Sequence, residues 1–153
     1  MEKQKSTVRE ALRDLEIIRR KYVQQSVTAL GLTWGQGQAR ILDKLLTQDH
    51  ITQKELSDQC GIDVTTMSRA LDRLEEAGFL CRKKPPDCRR SYQIALTEAG
   101  RDKARQVRAM FDSLDEGIWW EFDEEEMETV LAGLKKITRN IGALYDAESD
   151  KKT

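Results

Sequence analysis

The tightest constraint on how this chain folds lies between Thr52 and Gly78, where helix start and stop signals fall too close together for one continuous helix. Thr52, with Glu55 three residues later, makes a capping box that opens TQKELSDQ, and Cys60-Gly61 closes it. Asp63 then caps a second helix running to Ala77, with Gly78 as its stop. In that second helix Met67, Leu71 and Leu74 point one way, with Ile62 just ahead. Thr65, Ser68, Arg69, Asp72 and Arg73 point largely away from them. A short capped helix, a tight turn and a second helix with a free polar face make a helix-turn-helix unit. B-DNA's major groove is about as wide as an α-helix, so the expectation is that Thr65, Thr66, Ser68 and Arg69 face base edges, Arg69 being the candidate for guanine. Arg73, one turn on, suits a phosphate or an intraprotein ion pair.

Directly after this unit, Phe79-Leu80-Cys81-Arg82 and Tyr92-Gln93-Ile94-Ala95-Leu96 flank a segment containing Pro85, Pro86 and Asp87, the pattern of a short β-hairpin. From Cys81 to Tyr92 five bases, Arg82, Lys83, Lys84, Arg89 and Arg90, stand against Asp87 alone, a net +4. Lys84, Arg89 and Arg90 suit phosphate or minor-groove contact. The segment Glu121 to Asp150 is the reverse, with nine acids against Lys135, Lys136 and Arg139, a net −6. A polyanion is drawn to the first and repelled by the second.

The flanks are helical. Val8, Leu12, Leu15, Ile18 and Tyr22 form one stripe on a helix from Ser6 to about Ala29. Thr33 with Gln36 reads as the start of another helix reaching about Thr47. Thr97 begins a helix with heptad spacing at Ala104, Val107, Phe111, Leu114 and Ile118. After Trp119, Trp120 and Phe122, Asp123 with Glu126 caps a last helix carrying Met127, Val130, Leu134, Ile137, Ile141 and Leu144. So many apolar rows around one small head call for a partner subunit to cover them.

Composition removes other classes. At 153 residues the chain suits one domain, and 26 basic against 27 acidic residues leave a net charge of −1. No apolar run approaches the roughly 18 residues of a membrane span, and MEKQKSTVREALRD is too charged for a signal peptide. The expectation is a cytoplasmic protein without a membrane partner. Cys60, Cys81 and Cys88 hold no C-x-x-C pair and His50 stands alone, so neither a disulfide framework nor a metal site is expected. With no glycine-rich phosphate loop and no Ser/His/Asp set, neither an enzyme nor a cofactor is expected.

The run LTWGQ, then TQKELSDQCGIDVTTMSRALDRLEEAGFLCRK, then PPDCRRSYQIALTEAG resembles the multiple antibiotic resistance regulator (MarR) family in order and spacing, strongly from Leu32 to Gly100. The resemblance implies a mainly α fold with a small β-hairpin wing. A winged helix-turn-helix head would cover 32–97, and 6–30 with 98–147 would form an entwined dimerisation region. It implies a homodimeric repressor of duplex DNA, controlled by a small aromatic or phenolic effector held between the dimer helices and the head. By position, Tyr22, Ser26, Trp34 and Gln38 would line that space. The wing departs from the pattern, for Cys88 stands where the family usually has Asp, Arg90 matches the wing arginine, and Asp87 falls one residue early. Cys88 among Lys84, Arg89 and Arg90 is set to favour thiolate, so a redox-responsive regulator is one alternative. A winged-helix adaptor that contacts only protein is the other.

Overall fold

A computed structural model describes residues 1–85 and 92–149 of the chain. Met1–Asp112 and Ser113–Thr153 form two compact units. The first contains α1 (Glu2–Ala29), α2 (Gln38–Thr47), β1 (Ile51–Thr52), α3 (Gln53–Cys60), α4 (Val64–Glu76), β2 (Leu80–Lys83), β3 (Gln93–Leu96) and most of α5 (Glu98–Ile118). The end of α5 and all of α6 (Glu124–Ser149) belong to the second. The fold is the winged helix expected: mostly helical, with a small antiparallel sheet.

Within the first unit the core is continuous through α2, α3, α4 and the sheet. Ile41, Leu42, Leu45, Leu56, Met67, Leu71, Leu74, Leu80, Ile94 and Val107 are its largest fully buried side chains. Each comes from the apolar face of an amphipathic element, which is why the three short helices need one another. α1 adds only Val23 and Val27 to this core. Its other apolar row, Val8, Leu12, Leu15, Ile18 and Tyr22, is exposed to solvent. The helix ends where the Leu32 and Gly31 amides turn back to the Val27 and Thr28 carbonyls, at 3.1 and 2.9 Å.

The sheet has three strands in the order β1-β3-β2. β2 and β3 form the hairpin, with Leu80 opposite Leu96 and Lys83 opposite Gln93. β1 adds Ile51 opposite Ile94 and Thr52 opposite Gln93, a strand the sequence pattern did not suggest. Asp49 secures this side: its Oδ1 accepts the Leu96 amide at 3.0 Å, and Arg101 Nη2 of α5 donates to Oδ2 at 2.5 Å. Where α5 leaves the sheet, Thr97 Oγ1 donates to the Gly78 carbonyl and accepts the Gly100 amide. A side chain at Gly100 would put its Cβ 1.7 Å from the Phe79 carbonyl oxygen, so only glycine allows this approach.

One helix start differs from the expectation. Thr33 does not cap α2, because the Thr33 amide donates to Gln38 Oε1 at 2.9 Å and the chain runs in turns to Gly37 before the helix begins. The second unit agrees with the pattern at its helix start, since Asp123 and Glu126 each accept the other's backbone amide, at 2.9 and 3.0 Å. Trp119 and Phe122 stack edge to face beside it, with ring centroids 5.4 Å apart. α6 buries none of its residues, and Leu131, Leu134, Ile141, Leu144 and Tyr145 are all exposed.

Candidate nucleic-acid interface

α3 and α4 are joined by a turn that only a few residues can make. Gly61 sits at φ 62°, in the left-handed region, and the Ile62 amide returns to the Ser57 carbonyl at 3.1 Å. Two side-chain caps fix the flanking helices. Thr52 Oγ1 accepts the Glu55 amide while Glu55 Oε2 accepts the Thr52 amide, a complete capping box. Asp63 Oδ1 accepts the Thr66 amide at 2.9 Å and Oδ2 the Thr66 hydroxyl at 2.6 Å. Those bonds, the hydroxyl's first, hold the Asp63 carboxyl below its ordinary pKa. Hydrogen bonds from the Thr52 amide and hydroxyl do the same for Glu55.

α4 buries Met67, Ala70, Leu71 and Leu74, which turns its opposite face outward. Thr65, Arg69, Asp72 and Arg73 are exposed, and Ser68 and Thr66 half-buried. Thr66 is tied into the Asp63 cap rather than free to reach a ligand. Arg69 and Arg73 form no ion pair with any described residue, leaving both guanidinium groups open. Lys83 and Lys84 are exposed at the end of β2, and Lys84 Nζ lies 5.4 Å from the centroid of the Tyr92 ring. Cys88, Arg89 and Arg90 fall outside the described residues, as does Asp87.

Arg82 behaves differently from its basic neighbours. Its guanidinium reaches across to α4, bonding Asp72 Oδ1 at 2.7 Å and Glu75 Oε2, and its backbone N–H donates to Glu75 Oε1 at 3.3 Å. Counting charges along the sequence placed Arg82 in a free basic patch, yet its charge is already matched. No local pattern announces such a pair, because the partners are seven and ten residues away on another element.

Beside the first turn of α4 lies a cleft of about 430 Å³. Val23, Trp34 and Phe111 supply apolar wall, Arg19 and Arg40 positive charge, and Gln38 a polar group. Asp63 and Thr66 also border it, so the cap of α4 is part of the cleft's surface. Of the four residues placed here by position, Trp34 and Gln38 line the cleft; Tyr22 and Ser26 do not. Arg40 was not anticipated; it donates to the Cys60 carbonyl at 2.7 Å, at the end of α3. Cys60 is buried, which raises its thiol pKa and disfavours thiolate, while Cys81 is half-buried in β2. His50 is exposed at a left-handed φ of 60° in the loop before β1.

The sequence profile of the MarR family matches residues 34–92. Among solved structures, a MarR-family transcriptional regulator from Listeria monocytogenes complexed with a 26mer DNA is 28% identical, over 85% of this chain and 87% of that one, with a TM-score of 0.72. A MarR transcriptional regulator from Methanosarcina mazei Go1 is 26% identical, covering 91% of this chain and 99% of that one, with a TM-score of 0.71. A MarR-family regulator from Silicibacter pomeroyi is 25% identical over 86% and 87% of the two chains, with a TM-score of 0.69.

Proposed function

We propose that the chain is a transcription regulator of the MarR family, a ligand-responsive repressor that binds a pseudo-palindromic operator as a homodimer. The observation that carries the DNA reading is the outward face of α4, where Arg69 and Arg73 are unpaired among the described residues and Lys83 and Lys84 stand exposed in the following hairpin. The Listeria monocytogenes regulator, complexed with a 26mer DNA, supports that reading through its similar fold. α4 enters the major groove, Arg69 reads guanine, and Arg73, Lys84, Arg89 and Arg90 meet phosphates or the minor groove. Thr65 and Ser68 add contacts at base edges, with Thr66 shaping the first turn.

Homodimerisation is supported by the exposed apolar rows of α1 and α6, which are too regular and too long to be left in water. Two copies would set their α4 helices about one DNA turn apart, roughly 10 base pairs. Occlusion of a promoter then represses it. The cleft beside Asp63 supports effector control: aromatic wall and two arginines suit a small aromatic acid or phenol, whose binding would favour one spacing of the α4 helices over another.

Duplexes selected from a random pool supply the operator, and binding is then measured across a salt series. Many phosphate contacts make log affinity fall steeply with log salt. Arg69→Ala should lower operator affinity by about tenfold or more while leaving affinity for unrelated duplex nearly unchanged. A protein-only adaptor would show weak binding with no salt slope, and that result would overturn the assignment.

A further inference from the structure

We infer that Arg82 is a positioning residue for duplex binding: it is the internal counter-ion of Asp72 and Glu75, screening two acids that would otherwise face a polyanion. The inference rests on the DNA-binding reading and adds to it a role for a wing base that does not touch phosphate.

The geometry is specific to an arginine. Asp72 and Glu75 lie three residues apart on α4, on one side of the helix. One guanidinium nitrogen goes to each carboxylate, so a single planar fork spans both, and Glu75 accepts the Arg82 backbone N–H as well. A lysine ammonium is a point charge and cannot reproduce that span. The side chain of Arg82 is only 22% exposed, against 57% for Asp72 and 40% for Glu75, so its charge is turned inward while the acids stay near the surface. β2 is an edge strand of the sheet, and the Arg82 N–H is one of the groups an edge leaves unpaired; Glu75 covers it.

Position makes the pairing matter for DNA. Asp72 is directly adjacent to Arg73 and three residues from Arg69, within the outward face of α4. Without Arg82, two carboxylates would stand beside the arginines that attract phosphate.

A double-mutant cycle read by operator affinity tests this. Arg82→Gln should weaken binding about tenfold in the wild-type background, and by less than about twofold when Asp72→Asn and Glu75→Gln are already present. Arg82→Lys should fall between wild type and Arg82→Gln. The salt slope should not flatten in Arg82→Gln, whereas losing a phosphate contact flattens it by about 0.9. Should Arg82→Gln alone unfold the head, the charge-neutral triple variant carries the test, and it should bind close to wild type. An equal loss in both backgrounds, a flattened slope, or a triple variant as weak as the single one overturns the inference while leaving DNA binding intact. Wild type without salt-sensitive duplex affinity instead overturns the DNA reading, and the proposed role of Arg82 with it.

Discussion

Asp63 decides how α4 begins, and it does so through Thr66 alone among side chains. Both Asp63 oxygens are engaged, one by the Thr66 amide and one by its hydroxyl. Because the folded chain holds this carboxyl below its ordinary pKa of 3.8, the ionised form is the one folding favours. The stabilisation is therefore fully present above the ordinary value and is lost as pH falls through the lowered one. Asp63→Ala should melt a few degrees below wild type at neutral pH, and the gap should stay constant down to about pH 5 and close in more acidic solution. A gap that widened on acidification would contradict the assigned bonds. Asp63→Asn is the informative companion, since it can still accept the Thr66 amide but has no charge to titrate.

Elements held by local chemistry were legible from the sequence; those held by distant partners were not. The start of α3 at Thr52, the Asp63 and Asp123 caps, the hairpin and the apolar face of α4 all follow from spacings of a few residues. β1 exists only because Ile51 and Thr52 find Ile94 and Gln93 across the chain, and α2 starts late because Gln38 reaches back to the Thr33 amide. Arg82 is the same lesson in charge, since a tally of bases cannot show that one of them is matched by Asp72 and Glu75. Tertiary contacts also set how much each element tolerates. Leu71 is fully buried on α4, so Leu71→Ala should destabilise the chain by about 3 kcal/mol in urea unfolding. Gly100→Ala must displace the Phe79 carbonyl or the first turn of α5, and should destabilise by about 3 kcal/mol with a lower midpoint. A neutral Gly100→Ala would mean that the junction between β2 and α5 yields easily.

At the scale of the whole molecule, the exposed rows of α1 and α6 are where the proposed homodimer would place its second copy. Leu12 is 38% exposed, Ile141 60% and Leu144 67%, values foreign to core positions with heptad-like spacing. Ile141→Asp with Leu144→Asp should shift the chain to monomer in light scattering and weaken operator binding by about a hundredfold, because one head then binds without the other. A monomeric wild type that still binds tightly would refute that seam. The head itself has a built-in linkage at Thr52, the last residue of β1 and also the N-cap of α3. Sheet and helix pair thus meet in a single residue, paired with Gln93 on one side and closing the capping box on the other. If the wing tilts on a duplex, as the proposed function implies, α3 should move with it. The expected outcome is that substitutions on the outward face of α4 and on the wing fail to add in operator affinity.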